Sequence, residues 1–211
     1  MSNHSTFNKE NFEKLPIVGI LRGISQVKTL KIAESYFKAG FNTLEVTMNT
    51  DNVVDIITAL RTTFPNMNIG AGTVCNMEDL NHALDAGSKF IVTPILDDRV
   101  IKHCVSQSIP IFPGAYTPTE IYRAWSMGAD AVKVFPASQL GVGYIKDVLA
   151  PLNDIKLIPT GGVNHGNASA YLKAGAYGLG MGSSLFNKAL IENNDFNGLF
   201  EHLVQLKSQL L

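Results

Sequence analysis

The sequence predicts an α/β fold, a single (β/α)8 TIM barrel with parallel strands, as one domain over residues 1–211. Eight short apolar segments, rich in β-branched or aromatic residues, resemble buried parallel strands: PIVGIL, NTLEVT, MNIGAG, KFIVT, PIFPG, DAVKVF, KLIPT and YGLGMG. Stretches with helical spacing lie between them, and 211 residues fit the short end of the range for such barrels. Because an open sheet of this length usually has fewer strands, a closed barrel is predicted.

The predicted helices end in a repeated way. Segments such as SQVKTLKIAESYFKAG, NMEDLNHALDAG and TPTEIYRAWSMG carry apolar residues at helical spacing. A glycine follows each of several helical patterns and precedes the next strand, at Gly40, Gly87, Gly128 and Gly175. Glycine there can adopt the left-handed conformation that closes a helix. The last segment, residues 185–211, is predicted to be a closing helix that is irregular around residues 193–197.

Composition and charge argue against several classes of protein. Hydrophobic residues make up 45% and charged residues 17% of the chain, which argues against disorder, and no apolar run is long enough to span a bilayer. A formal net charge of -1 does not suit nucleic-acid binding. Cys75 and Cys104 form no disulfide framework, and the polar start of the chain lacks the apolar core of a secretory signal. We therefore expect a cytoplasmic protein with no membrane or nucleic-acid partner.

Two charged residues interrupt apolar strands. Lys133 alternates with Val132 and Val134, and Glu45 alternates with Leu44 and Val46, so both are expected to point into the barrel. A lysine reaching solvent from an edge strand is the alternative interpretation, but a barrel has no edge. For Glu45 the alternative is a structural ion pair. A carboxylate beside a lysine amine is what imine chemistry needs, because its steps require a group that gives and takes protons.

Further candidate residues follow the strands at their carboxyl ends, the face on which barrel enzymes place their active sites: Arg22, Thr73, Pro94, Thr160, Gly161 and Gly162. Two glycine-rich turns, PTGGVNHGN and GMGSSL, follow the last two predicted strands. Each turn can simply be tight. Such turns also bind phosphate through backbone N–H groups, and because neither contains lysine or arginine, we expect recognition by backbone amides.

Neither a metal nor another cofactor is predicted. The histidines are isolated from one another in sequence: His4, His82, His103, His165 and His202. His165 is interpreted as a solvated residue near the start of a helix capped by Asn164. Cys75 follows a strand end but has no evident histidine partner, so a small, partly buried thiol is expected instead of a nucleophile.

The motifs together resemble one family over nearly the whole chain. In order they are LRG at 21–23, LEVTMNT at 44–50, GAGTV at 70–74, IVTP at 91–94, FPG at 112–114, VKVFPAS at 132–138 and PTGGV at 159–163. They resemble the KDPG/KHG aldolases, which cleave 2-dehydro-3-deoxy-6-phosphogluconate (KDPG) or 4-hydroxy-2-oxoglutarate (KHG). The resemblance implies a homotrimeric class I aldolase without a metal, acting on a phosphorylated keto acid.

The resemblance also assigns roles to residues. It implies that Lys133 forms the Schiff base and Glu45 transfers protons. It further implies that Thr73 and Pro94 bind the pyruvyl group, that Thr160 matches the threonine before the double glycine, and that the phosphate contacts are Gly161, Gly162 and Ser183.

One position departs from the family motif. Asn49 stands where well-known members have the arginine that holds the substrate carboxylate, so we expect Arg22 to supply that charge. LRG and an asparagine in the second-strand motif also resemble the 2-dehydro-3-deoxy-6-phosphogalactonate aldolases, whereas Thr160 favours the gluconate enzyme. The predicted reaction is cleavage of KDPG to pyruvate and glyceraldehyde 3-phosphate, with KHG as a further substrate. The alternatives are the galactonate epimer, a phosphosugar isomerase or epimerase, and a catalytically silent metabolite sensor.

Overall fold

The computed structural model describes residues 6–210, so His4 and the predicted domain limits at residues 1 and 211 lie outside the described residues. The strands are β1 (Ile17–Leu21), β2 (Thr43–Thr47), β3 (Asn68–Gly72), β4 (Ile91–Val92), β5 (Ile111–Phe112), β6 (Gly114–Ala115), β7 (Val132–Val134), β8 (Leu157–Pro159) and β9 (Leu179–Met181). The helices are α1 (Lys9–Lys14), α2 (Gln26–Lys38), α3 (Val53–Thr63), α4 (Met77–Asp85), α5 (Asp98–Ser106), α6 (Pro118–Ser126), α7 (Ala137–Leu149), α8 (Ala168–Lys173), α9 (Lys188–Glu192) and α10 (Phe196–Leu210).

The strands pair in parallel and alternate with helices. Six strands form one sheet in the order β5-β4-β3-β2-β1-β9, and three form a second sheet in the order β6-β7-β8. Every predicted strand segment contains a strand, so the prediction of an α/β fold with parallel strands is confirmed. Within residues 6–210 the hydrogen-bonded pairs divide the strands between two sheets instead of joining them in one ring of eight.

The fifth predicted strand, PIFPG, is divided at Pro113. Its first part, β5, pairs with β4, and its second part, β6, pairs with β7. Proline has no N–H to donate to a neighbouring strand, and the N–H of Gly114 donates to the Thr93 hydroxyl at 3.2 Å. The chain therefore changes sheets at Pro113. At the other junction, an isolated bridge pairs Thr160, the residue after β8, with Gly180 of β9.

The helix ends agree with the sequence pattern. The four predicted helix-closing glycines have φ values of 90°, 86°, 95° and 102° at Gly40, Gly87, Gly128 and Gly175. The predicted irregular segment is also confirmed, because α9 ends at Glu192 and α10 begins at Phe196. The α1 helix was not predicted; its cap is Asn8, whose side chain accepts a hydrogen bond from the N–H of Asn11. Among the described residues, no helix is long and apolar enough to cross a membrane.

Two apolar clusters lie on the two faces of the strands. The larger packs the strands against the surrounding helices and includes Leu44, Val132 and Val134. The smaller includes Val18, Phe112 and Ile158 with Phe12 of α1. Because neighbouring residues of a strand point to opposite faces, Glu45 and Lys133 share the side of the smaller cluster, as predicted. The aromatic rings around Phe12 fill the end of this interior at which the strands begin.

Candidate active site

Lys133 and Glu45 are buried together inside the fold. Lys133 is the middle residue of β7 and is 5% exposed, and Glu45 is the middle residue of β2 and is 1% exposed. Both line one small internal cavity, which Thr160 also lines. Neither carboxylate oxygen of Glu45 has a hydrogen-bond partner among the described residues. An unpartnered buried carboxylate is costly, so this position is unusual for a residue that only supports the fold.

The environment of Lys133 favours its neutral form. Its N–H donates to the Pro113 carbonyl at 2.8 Å, which fixes the backbone, and its Nζ lies 5.0 Å from the centre of the Phe135 ring. Burial lowers the pKa of the Lys133 amine; Glu45 opposes this shift, and the nearby Arg22 adds to it. A lowered lysine pKa leaves more unprotonated amine at neutral pH, which is the nucleophilic form.

Glu45 occupies space that a glycine leaves free. A Cβ added to Gly72 of β3 would lie 2.6 Å from Glu45 Cδ, closer than real side chains approach. Burial raises the pKa of the Glu45 carboxyl, while Lys133 and Arg22 oppose that rise. A carboxyl group with a raised pKa can hold and release a proton at a higher pH than an exposed glutamate. The structural ion pair considered for Glu45 is not found, since no cation of the described residues lies within 4.0 Å of it.

Arg22 and Thr73 meet at adjoining strand ends. Arg22 follows β1 and is exposed, and its Nη2 donates to the Thr73 hydroxyl at 3.4 Å. Thr73 follows β3 and has a φ of 56°, a left-handed conformation that is uncommon for a β-branched residue and occurs often at functional sites. Asn49 is exposed beyond the end of β2.

An open cleft of about 1060 Å³ leads to Lys133 from the carboxyl ends of the strands. Six of the predicted site residues line it: Arg22, Lys133, Thr160, Gly161, Gly162 and Ser183. Of the remaining three, Glu45 lies in the internal cavity, Thr73 contacts Arg22, and Pro94 packs against Gly114, the residue that pairs with Lys133 in β7. The structure therefore gathers the predicted residues around one lysine.

The two glycine-rich turns form one wall of this cleft. Gly161 and Gly162 have φ values of 90° and 77°, and a Cβ on Gly162 would lie 2.6 Å from Cβ of Ser138, so a larger residue does not fit there. The backbone N–H groups of Gly162 and Ser183 find no hydrogen-bond acceptor among the described residues. Free backbone donors beside an open cleft are suited to an anion.

The predicted helix cap beside this turn was wrong. The cap of α8 is Asn167, whose side chain accepts from the N–H of Asn164 at 2.8 Å. The Asn164 side chain instead accepts from the N–H of Gly166 at 2.8 Å and so forms a local turn. His165 lies in that turn and is exposed, as predicted.

A comparison with known protein families shows to which family the chain belongs. A family model described as "KDPG and KHG aldolase" matches residues 9–202. The chain belongs to this aldolase family. A 2-dehydro-3-deoxy-6-phosphogalactonate aldolase of Escherichia coli K12 is 36% identical over 175 residues, 82% of this chain and 85% of that protein. A 2-dehydro-3-deoxy-phosphogluconate aldolase of Haemophilus influenzae is 34% identical over 189 residues, 89% of each chain.

One similar solved structure also contains a covalent reaction intermediate. The KDPG aldolase of Legionella pneumophila is 27% identical, has a TM-score of 0.86, and matches over 93% of this chain and 96% of that chain. In that structure pyruvate is captured at low pH as a covalent carbinolamine intermediate. A carbinolamine forms when an amine adds to a carbonyl group.

Sequence reasoning missed several residues of this aldolase's cleft. Lys28 of α2 and Lys188, Ile191 and Glu192 of α9 line it. The sequence gives little indication that these residues belong to the site. They lie on two helices that are distant in sequence, and only the fold brings them to the same cleft.

Cysteine and metal chemistry find little support in the geometry of this aldolase. Burial and Asp79 raise the pKa of the partly buried Cys75 thiol, which disfavours the reactive thiolate. Within residues 6–210, no group of three or more histidine, cysteine, aspartate or glutamate side chains is arranged to hold a metal ion. The expectation of a site without a cofactor stays a prediction.

Proposed function

We propose that this protein is a class I aldolase that reversibly cleaves a 2-dehydro-3-deoxy-6-phospho sugar acid, with KDPG as the first candidate, to pyruvate and glyceraldehyde 3-phosphate. The observation that carries the proposal is the shared burial of Lys133 and Glu45, the lysine with a lowered pKa and the carboxyl with a raised one. Such paired shifts in opposite directions are typical of catalytic acid and base groups. The carbinolamine captured in the Legionella relative supports the same chemistry.

The reaction begins at Nζ of Lys133. The neutral amine adds to the C2 carbonyl of the keto acid, and the carbinolamine then loses water to give a protonated imine. Glu45 supplies the proton that leaves with the hydroxyl group as water. As a carboxylate, Glu45 then accepts the proton of the C4 hydroxyl while the C3–C4 bond breaks and its electrons move into the imine. Glyceraldehyde 3-phosphate departs, the enamine is protonated at C3, and water releases pyruvate from Lys133.

The substrate is proposed to lie along the cleft from Arg22 to the glycine turns. Arg22 with Thr73 holds the carboxylate, and a guanidinium suits that role because its donors match a carboxylate in pairs. Pro94 and Thr160 border the pyruvyl group. The phosphate is bound by backbone N–H groups of Gly161, Gly162 and Ser183, supported by the free amides of Gly162 and Ser183.

A further proposal is that the two sheets close into one eight-stranded barrel within a single domain spanning residues 1–211. The bridge between Thr160 and Gly180 and the short link at Pro113 support closure at the two junctions. We also propose a homotrimer that acts in the cytoplasm. The unpaired cysteines Cys75 and Cys104 suit a reducing compartment.

The decisive experiment is reductive trapping. Incubation with pyruvate and borohydride is expected to add one reduced pyruvyl group to the protein, and peptide mapping is expected to find it on Lys133. An adduct on another lysine would reject the assignment. The lack of any adduct, together with conversion of a phosphosugar without cleavage, would favour an isomerase or epimerase in which Glu45 is the base.

The galactonate epimer is a second candidate because of one observation. Asn49 provides no cation, whereas Arg22 already contacts Thr73 at 3.4 Å, the arrangement expected from the LRG motif. Pyruvate release should therefore be compared for 2-dehydro-3-deoxy-6-phosphogluconate, its galactonate epimer and KHG under identical conditions. The highest kcat/KM identifies the substrate, and faster cleavage of KHG than of either phosphorylated acid would contradict a phosphate-binding role for the turns.

A further inference from the structure

Lys28 is a half-buried cation that faces the cleft without a carboxylate partner. It lies on α2, lines the cleft, and its Nζ donates to the Ile191 carbonyl at 3.2 Å. Among the described residues, no carboxylate lies within 4.0 Å of its amine. One carbonyl acceptor leaves two of the three ammonium donors of Lys28 free. A partly buried charge in this state favours an anion that arrives with the ligand.

The position of Lys28 within α2 strengthens this argument. It is the third residue of the helix, where a cation opposes the helix dipole. The first turn of α2 contains no acidic residue that could compensate, and the cap residue, Ser25, makes no side-chain capping bond. No group in the first turn of α2 therefore compensates the positive charge of Lys28, whereas a bound anion would stabilise it.

Lys28 lines the same cleft as the turns to which the phosphate was assigned. Strand β1 pairs with β9, so the segment leading from β1 into α2 and residues 182–184, which follow β9, leave neighbouring strands. Lys28, in the first turn of α2, and Ser183, just after β9, both line the cleft. Lys188 also lines the cleft, but it is 86% exposed and already pairs with Glu192 at 3.5 Å. Of these two lysines, Lys28 has the unmatched charge.

We propose that Lys28 determines the preference for phosphorylated over unphosphorylated substrate, by completing the charge around a phosphate held on the backbone amides. This inference rests on the proposed aldolase function and deepens it, since the glycine turns alone provide dipoles but no full positive charge. The bond from Lys28 to the Ile191 carbonyl holds the amine in place, so that its free donors are directed without a large loss of side-chain entropy. Arg22 remains the cation for the carboxylate at the other end of the substrate.

The test compares Lys28→Met, which keeps the aliphatic stem, with Lys31→Met on the same helix. Lys31 is 58% exposed and contacts Glu34 outside the cleft, so it is a matched control. The substrates are the phospho sugar acid that the wild type cleaves faster and the same acid without its phosphate. For Lys28→Met we expect kcat/KM to fall roughly 10-fold to 100-fold on the phosphorylated acid, a range typical of a lost charged hydrogen bond. On the unphosphorylated acid we expect little change.

Two further measurements separate specificity from packing. Lys28→Arg keeps the charge and is expected to recover most of the activity on the phosphorylated acid. Equal losses of Lys28→Met on both acids would show that Lys28 only positions α9, and no loss on either would show that the phosphate does not meet it; each result overturns the proposal.

Direct binding of inorganic phosphate, measured by calorimetry, does not depend on turnover. Weaker binding to Lys28→Met than to Lys31→Met is expected. This result would support the anion site even if pyruvate trapping at Lys133 failed and the aldolase proposal with it. Equal phosphate binding by the two variants would reject the anion site whether or not the enzyme is an aldolase.

Discussion

Lys89 and Lys133 are two buried lysines with opposite surroundings. Lys89 is 6% exposed and precedes β4, where its Nζ donates to the carbonyls of Pro65 at 2.7 Å and Met67 at 2.6 Å. Lys133 is 5% exposed and lies within β7, its Nζ is 5.0 Å from the centre of the Phe135 ring, and its amine makes no hydrogen bond to the described residues. The amine of Lys89 is therefore held by two backbone carbonyls, whereas the amine of Lys133 is not held by a hydrogen bond of this kind.

The comparison shows that burial alone does not identify a functional lysine. Burial lowers the pKa of both amines, for Lys89 to about 8 with a further contribution from Arg61. The difference lies in the hydrogen bonds, because the backbone already uses the amine of Lys89, whereas the amine of Lys133 is free and opens on the cleft. A shifted pKa therefore indicates chemistry at a buried lysine only when the amine is not already held by the fold.

The largest effect is expected for Lys133→Met. Loss of the nucleophile should lower turnover by more than about 1000-fold and abolish pyruvate trapping. The melting temperature should not fall, because the amine has no hydrogen bond to lose. Coupled assays of pyruvate release and thermal unfolding test both parts. A variant that keeps more than a few per cent of wild-type activity would place the chemistry elsewhere.

Glu45→Gln removes proton transfer while keeping the shape of the side chain. We expect turnover to fall by about 100-fold to 10,000-fold, the usual contribution of a general acid–base group. Pyruvate should still be trapped on Lys133, although more slowly. Steady-state rates and mass spectrometry of the reduced adduct check the two outcomes. Activity within a factor of two of wild type would mean that Glu45 only fills space.

Gly72→Ala should disturb the carboxyl group of Glu45 without touching Lys133. The new methyl group would lie 2.6 Å from Glu45 Cδ, so the side chain must shift. We expect kcat to fall roughly 10-fold to 100-fold, as for other small misplacements of catalytic groups, with trapping retained. The matched control is Gly143→Ala, because no atom lies within 4 Å of a Cβ there. Equal kinetics of the two variants would show that Glu45 tolerates displacement.

The pH dependence of trapping reports the free amine directly. Because the pKa of Lys133 is lowered, the trapping rate should reach half of its plateau below pH 10.5, the ordinary value for lysine. Below the midpoint the rate should fall about tenfold per pH unit, as the neutral fraction does. Glu45 raises the pKa of Lys133, so the midpoint should be lower still in Glu45→Gln. A midpoint at or above 10.5 would contradict the desolvated environment.

The smallest effect on catalysis is expected for Lys89→Met. The carbonyls of Pro65 and the buried Met67 would lose their donor, so the free energy of unfolding should fall by about 1–3 kcal/mol. Activity per folded molecule should stay within about twofold of wild type, because Lys89 does not line the cleft. Urea unfolding and kcat/KM measure the two quantities. A large loss of kcat/KM at unchanged stability would show that Lys89 also contributes to catalysis and is not only structural.

Much of this arrangement could be predicted from the sequence because it depends on local patterns. Apolar runs between glycines mark the strands, and the alternation of residues along a strand directs Glu45 and Lys133 inward. Other features depend on which of two similar residues takes a given role, and the sequence pattern does not decide this. Asn164 and Asn167 are both suitable caps, and only the fold engages Asn164 in a turn with Gly166.

Long-range features were less predictable. Helix α1 has six residues, and only Phe12 is buried, so its apolar periodicity is too short to detect. The split at Pro113 depends on which neighbours each half of the strand finds, and the cleft position of Lys28 depends on β9 closing against β1. The requirement for glycine at Gly72 was also hidden in the sequence. A side chain is excluded there only because Glu45 of the adjacent strand lies beside it in the fold.

The open cleft makes Lys133 a site for selective chemical labelling. A reagent that acylates or condenses with unprotonated amines, applied near neutral pH, should label this lysine ahead of the exposed ones, because its amine loses its proton more readily. Lys89 is protected by its two carbonyl contacts. A tag could thus be directed to the cleft of the native protein without engineering. Pyruvate, by occupying the same amine, would then act as the natural blocking agent in a cell extract.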